Sequence, residues 1–287
     1  MDQVQAPIWF QAVVLGIIQG ITEFLPISSS GHLVLIPELT HWRYLGKEFD
    51  VALHLGTLVA ILLYYRKRAL RLIRGLAPLF QRLRNGWQGE WEPDDTLLYY
   101  IIVASIPAGL VGLLCDDFLE THFNHMASIA CCLALFGLLM GWAEKVGSKA
   151  LEIEDLTLRG AVLIGAAQAL ALVPGVSRSG STITMALLLG LTRTSAADFS
   201  FLMALPITAA ACLLKAIKLS HTMAISGQSA FLLPCAIGVV TSFCSGLLCM
   251  HFLMRYLKSN TLSVFVIYRL LLAAVLAGWM LTHQAGR

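Results

Sequence analysis

GIIQGITEFLPISSSGH at residues 16–32 and GAAQALALVPGVSRSG at residues 165–180 are two versions of one phrase. Gly16, Gln19, Ser28, Ser30 and Gly31 recur as Gly165, Gln168, Ser177, Ser179 and Gly180, each pair separated by the same 149 residues. In both copies a proline, Pro26 or Pro174, interrupts an apolar helical run just before the serines. Further on, Glu48-Phe49 is echoed by Asp198-Phe199 at nearly the same offset. Duplicated, Pro/Gly-broken hydrophobic segments in the two halves of a membrane protein point to its binding site. The duplication divides a single integral membrane domain, residues 1–287, into repeat 1 (about 1–143) and repeat 2 (about 144–287).

The composition agrees with that class. The chain is 57% hydrophobic and 13% charged, with a mean hydropathy of +0.76, which describes an all-α polytopic membrane protein rather than a soluble fold. The start, Met1-Asp2-Gln3, lacks a basic region, and Arg43 is the first positive charge, so no cleaved signal peptide is expected. Seven cysteines (Cys115, Cys131, Cys132, Cys212, Cys235, Cys244 and Cys249) lie mostly inside apolar runs and form no CxxC, so they read as small hydrophobes.

Six segments, near 49–65, 96–114, 126–143, 198–218, 229–254 and 262–282, are apolar for the length of about 20 residues that a bilayer requires. Two more, about 8–39 and 160–193, are apolar but broken in the middle, and each half is too short to span. They are expected to form two re-entrant helix–loop–helix hairpins whose loops are shielded by protein or a watery cavity. The loop after the first span carries Arg66, Lys67, Arg68, Arg71, Arg74, Arg82 and Arg84, which assigns it to the cytoplasm. Counting spans then puts the acidic Asp116-Asp117-Glu120 loop outside, Lys145–Lys149, Arg255 and Lys258 inside, and both termini outside. The hairpins enter from opposite sides, so the repeats are inverted. The basic run reads as a topology determinant at an anionic membrane face; no aromatic-basic pattern accompanies it, and nucleic acid is not an expected partner.

Gln19 and Glu23 are four apart and share a helix face, and a carboxylate deep in an apolar run is functional by default. After Pro26 the serines fall where N-caps of the next half-helix belong, with His32 in its first turn. In the second copy Ser177 or Ser179 is the cap, and Arg178 replaces Ser29. Two helix N-termini with an arginine between them make an anion clamp suited to phosphate. Thr182, one turn beyond Arg178, would add a donor to the same anion. Opposite the clamp stand a carboxylate, a histidine and several hydroxyls, the parts needed to hydrolyse a phosphate ester or anhydride. Each part alone has a plainer reading: the serines as caps, Gln19 and Gln168 as a link between half-helices, Glu23 and Arg178 as a buried ion pair. Their conjunction favours chemistry. The remaining histidines, His41, His54, His122, His125, His221, His251 and His283, are assigned no role.

Residues 19–32 and the segment Pro174-Gly175-Val176-Ser177-Arg178-Ser179-Gly180-Ser181-Thr182 resemble two motifs of the undecaprenyl-pyrophosphate phosphatases of the bacitracin-resistance type. Asp198-Phe199-Ser200-Phe201-Leu202 and Ile267-Tyr268-Arg269 also resemble features of that family, and the likeness covers nearly the whole chain. The resemblance implies an enzyme of the bacterial inner membrane that cleaves undecaprenyl pyrophosphate to undecaprenyl phosphate and inorganic phosphate. That activity recycles the lipid carrier of peptidoglycan synthesis and confers bacitracin resistance. The resemblance further implies six spans with two re-entrant hairpins, an outward-facing site and dependence on a divalent cation, magnesium or calcium; a homodimer is compatible with it. By position, Glu23, Ser29, His32 and Arg178 match the family's catalytic residues, and Ser28, Ser30, Ser177, Ser179 and Thr182 are placed as substrate-binding. Glu23 and Gln19 match the metal-binding pair, and the amide at Gln19 is a weaker ligand that shifts weight to Glu23.

The expected mechanism has Arg178 and the two helix ends hold the pyrophosphate while His32 or Glu23 removes a proton from the attacker. That attacker is Ser29 or a metal-activated water. The rival class is a transporter that flips the lipid phosphate, since inverted repeats around broken helices also build secondary transporters.

Overall fold

The computed structural model describes residues 6–84, 91–226 and 232–284. The side chains of 83, 116, 117, 120, 215–226 and 283–284 fall outside that description, as do both chain ends, whose expected placement therefore has no structural counterpart. Among the described residues the chain is built of α-helices. The first broken region forms α1 (Ile8–Phe24) and α2 (Ser29–Thr40), followed by α3 (Lys47–Tyr64) and α4 (Arg66–Arg84). Then come α5 (Pro93–Phe123) and α6 (Met126–Val146), the second broken region as α7 (Leu158–Leu170) and α8 (Arg178–Leu188), and finally α9 (Arg193–Ser226), α10 (Leu232–Leu257) and α11 (Ser263–Gln284).

Five stretches are long and apolar enough to cross a membrane: Pro93–Cys115, Met126–Val146, Arg193–Leu214, Leu232–Leu257 and Ser263–Thr282. The sixth expected span corresponds to α3, which meets that test only together with Arg66–Arg82, from which it is bent by 92°. By contrast α1 and α7, at 17 and 13 residues, are apolar but short, as expected of half-helices.

Two expectations are corrected. The basic stretch after the first span is a helix, not a loop: Ala69, Leu72, Ile73, Leu76, Leu79 and Phe80 recur at helical spacing beneath the arginines. Arg71 and Arg82 pin that helix to Asp94 and Asp95 at the start of α5, at 2.5 and 2.8 Å. The Asp116-Asp117-Glu120 stretch is not a loop either, because no breaker intervenes and α5 runs on to Phe123.

The repeats interlock. The first helix of each broken region packs on a long helix of the other half, α1 on α10 and α7 on α5. The repeated glycines explain how closely. A methyl group on Gly16 would sit 1.9 Å from Thr241 Oγ1 and 2.9 Å from the Gly238 carbonyl of α10. On Gly165 it would sit 2.3 Å from the Ala104 carbonyl and 2.7 Å from its Cα in α5. At Gly165 the obstacle is backbone, which cannot turn aside, so helix α7 approaches α5 only because the side chain is absent. At the far end of the bundle, Glu144 of α6 takes a bidentate contact from Arg193 and a hydrogen bond from the Leu262 amide, tying α6, α9 and the start of α11 together.

Gly165→Ala is expected to destabilise the protein by about 1–3 kcal/mol through overpacking, and by more than Gly16→Ala, where the nearest obstacle is a threonine side chain and the backbone lies at 2.9 Å rather than 2.3 Å. Thermal unfolding of the two variants in detergent checks the order.

Candidate functional site

The two interruptions have the same local shape. Ser28 caps α2 at φ 77°, and Ser177 caps α8 at φ 75°, a region that costs non-glycine residues of order 1–3 kcal/mol and is found where surroundings impose it. In each copy the cap hydroxyl accepts from the amide three residues on, Gly31 N or Gly180 N, and lies 3.3 Å from the second serine hydroxyl, Ser30 or Ser179. The sequence placed serines at these ends; the structure selects Ser28 and Ser177 as the caps.

One side chain holds both interruptions. Arg269, in the second turn of α11 and fully buried, donates to five main-chain carbonyls. They are Pro26 after α1, Gly175 and Val176 after α7, and Cys132 and Leu133 of α6, at 3.0–3.3 Å. These include carbonyls beyond the C-terminal ends of two helices, where a cation is favoured. The opposite ends of the break are the N-termini of α2 and α8, which begin at Ser29 and Arg178.

Between them lies the Glu23 carboxylate, 7% exposed. One oxygen accepts from Arg178 Nη2 at 2.7 Å; the other accepts from Ser29 Oγ at 2.7 Å and from Gln19 Nε2 at 3.0 Å. Glu23, Ser29 and Gln19 come from the first repeat and Arg178 from the second, so the site exists only where the repeats meet. Ser179 Oγ also crosses between them, to the Leu25 carbonyl at 3.2 Å. Arg178 Nη1 and Gln19 Oε1 are buried and unpartnered among the described residues. An open cavity of about 430 Å³, lined by Ser30, Asp50, His54, Asn124 and Pro174 among others, adjoins this cluster.

His32 is set apart from the carboxylate. Its Nδ1 lies 2.6 Å from the Ser28 carbonyl, which can only accept, so Nδ1 carries the proton; Nε2 then accepts from the Tyr268 hydroxyl at 2.7 Å. His32 thereby buttresses the strained cap. Thr182 is also placed differently from expectation. Its hydroxyl is buried, bonded to the Arg178 carbonyl and to Ser200 of α9 at 2.7 Å each, and turned into the packing behind the arginine. Gln168, the counterpart of Gln19, is 3% exposed with neither amide atom partnered among the described residues, because Leu172 stands where the first copy has Glu23.

The sequence reading passed over three residues. His54, assigned no role, points its Nε2 at Glu23 from 3.8 Å while Nδ1 donates to the Asp50 carbonyl. Arg269 and Tyr268 entered only as part of a resemblance. The signal was available for two of them: His54 and Arg269 are polar residues within apolar runs, and such residues are functional by default.

For a divalent cation, Glu23 and the free Oε1 of Gln19 are the oxygen donors at hand. Among the described residues no three His, Cys, Asp or Glu side chains come together in ligating geometry. The set fits a magnesium-like ion, which takes one or two carboxylates and draws its other ligands from substrate phosphates and water.

A carboxylate–serine–arginine cluster, held between two broken helices inside an apolar bundle, is the polar centre of a polytopic membrane protein. The chain belongs to the bacitracin resistance protein BacA family, whose family model matches residues 12–275 of its 287; this is a family of undecaprenyl pyrophosphate phosphatases.

Arg269→Lys retains the charge but offers three donors in place of five in a rigid fork. It is expected to cost about 3 kcal/mol from lost charge-assisted hydrogen bonds, read as a lowered thermal midpoint, although Arg269 touches neither Glu23 nor Ser29.

Proposed function

We propose that the protein hydrolyses undecaprenyl pyrophosphate to undecaprenyl phosphate and inorganic phosphate at the junction of its two repeats. The observation that carries this reading is the Glu23 carboxylate, bonded on one side to the Ser29 hydroxyl and on the other to Arg178. A neutral scaffold has no use for a hydroxyl already aimed at a base beside a guanidinium with a free N–H.

The chemistry follows from the contacts. Ser29 Oγ gives its proton to Glu23 Oε2 as it attacks the terminal phosphorus. The Oγ–P bond forms, the bridging P–O bond breaks, and undecaprenyl phosphate leaves with the electron pair. Arg178 Nη1 and the amide ends of α2 and α8 hold the charge spread over the phosphoryl oxygens, the main source of rate in phosphoryl transfer. Water then cleaves the phosphoserine, releasing inorganic phosphate and restoring the Ser29 hydroxyl. Of the two bases considered from sequence, the geometry favours Glu23, since both nitrogens of His32 are engaged. A divalent ion bound at Glu23 and Gln19 would supply further neutralisation of the pyrophosphate.

The two broken helix pairs act as re-entrant hairpins in a six-span chain, entering from opposite sides. The basic face of α4 (Lys67, Arg71, Arg74) supports a cytoplasmic position for that helix, and in that orientation the cavity beside Glu23 opens to the outside.

Phosphate release from detergent-solubilised undecaprenyl pyrophosphate tests the reading, with and without added magnesium or calcium. Glu23→Gln and Arg178→Ala are each expected to lower the rate by about two to three orders of magnitude. No release by folded wild-type protein overturns the phosphatase reading in favour of transport. A covalent phosphate trapped on Ser29 supports the serine route; substantial residual activity in Ser29→Ala overturns it and leaves water as the attacker.

A further inference from the structure

A second cavity, of about 250 Å³, lies where α3, α4, α5 and α9 meet, and its walls are almost wholly hydrocarbon. Leu58 and Leu62 of α3, Leu72 of α4, Ile101 of α5, and Leu205 and Ala209 of α9 line it. Because α4 leaves α3 at 92°, it crosses the end of this groove. Its arginines are fastened to α5 by Asp94 and Asp95, with Arg82 also lying over the Trp91 ring at 5.6 Å. The bend is held by Tyr65, whose hydroxyl donates to Asp198 of α9 at 2.5 Å. The groove is thus roofed on the side of the charged helix. The groove walls themselves offer a lipid headgroup almost no polar contact, and its outer rim, at Ile73, Leu76 and Ile102, is exposed to the lipid.

Both long walls lead back to the Glu23 cluster. On α3, His54, Leu58 and Leu62 follow one another at four-residue spacing on one face, and His54 is the residue 3.8 Å from Glu23. From the level of His54 to that of Leu62 is about 12 Å at the helical rise. On α9, Phe201 packs edge-to-face on Phe24, the neighbour of Glu23, with centroids 5.4 Å apart. Leu205, one turn beyond Phe201, lines the groove.

We propose that this roofed groove receives the distal part of the isoprenoid chain whose pyrophosphate is held at Glu23, Ser29 and Arg178, and so sets the preference for long substrates. The inference rests on the phosphatase reading for the identity of the headgroup. A short prenyl chain ends before the groove, and a long one fills it and gains van der Waals contact with its walls.

A photoreactive diazirine at the far end of an undecaprenyl phosphate analogue, irradiated with the full-length protein in phosphatidylethanolamine–phosphatidylglycerol vesicles, tests the placement. Label is expected on the groove-lining peptides of α3, α4 and α9, and is expected to fall about tenfold with competing undecaprenyl phosphate but not with the same excess of phosphatidylglycerol. Label scattered over the lipid-facing helices, or competed equally by phosphatidylglycerol, overturns the proposal; the second result makes the groove an ordinary phospholipid site. The labelling requires binding alone, whereas hydrolysis by the wild-type protein tests the headgroup chemistry, so the two readings fail separately. In the kinetic arm, Ala209→Trp is expected to lower the ratio of kcat/KM for undecaprenyl over geranyl pyrophosphate about tenfold. An equal loss on both substrates, or no change in the ratio, contradicts it. Leu113→Trp, on a lipid-facing part of α5 outside the groove, is expected to leave both values as they are.

Discussion

Breaking two helices inside an apolar bundle frees carbonyls and amides that lipid cannot pair, and the rest of this structure is arranged around that cost. Arg269 meets it on the carbonyl side. A single guanidinium from α11 reaches carbonyls following α1 and α7 together with two of α6. A buried arginine without partners would be untenable; here the unpaired carbonyls and the unpaired cation satisfy one another. The amide side of each break is then free to do something else, because its own first needs are met by the caps Ser28 and Ser177.

That division of labour explains why Glu23, Ser29 and Arg178 lie where they do. The strained cap conformations at Ser28 and Ser177 persist because Arg269, His32 and the packing on α6 over-determine them. They turn Ser29 toward Glu23 and Arg178 toward the same carboxylate. The two residues occupy equivalent positions in the repeated phrase, yet one is a hydroxyl and the other a guanidinium. Divergence at that single position gives a symmetric scaffold an asymmetric centre. The loss of Glu23's counterpart at Leu172 has the same sense: Gln168 keeps the old position, without the carboxylate that Gln19 serves.

Interlocking of the halves makes the site indivisible. With α1 seated on α10 and α7 on α5, neither broken pair packs chiefly on its own repeat, and the contact of Glu23 with Arg178 is a contact between halves. The bent α3–α4 pair extends this logic toward the lipid. The same helix that offers His54 to the carboxylate offers Leu58 and Leu62 to the roofed groove, so one rigid element joins the polar cluster to the apolar groove.

Much of this was legible in the chain alone. The period and length of the apolar runs mark the long helices, since a bilayer fixes length and hydropathy together; the prolines mark the breaks, since they cannot continue a helix; and the repeated glycines and serines mark a duplication. Glu23, Ser29 and Arg178 stood out because charges and hydroxyls beside broken membrane helices are expensive unless used. What the sequence could not supply is which distant side chains complete the cluster. His54 and Arg269 sit 31 and 246 positions from Glu23 in the chain, and only the folding of α3 and α11 against the breaks brings them in. The helix at 66–84 was hidden because its charges outweigh an apolar stripe that acquires meaning only against α5. The partners of Thr182, the Arg178 carbonyl and Ser200, were hidden for a related reason, as helical spacing gives a side chain's height along an axis but not which neighbouring helix lies opposite. Local pattern thus determined the elements and their interruptions; the identity of facing partners was decided by tertiary packing, because that depends on contacts between segments with no fixed separation in sequence.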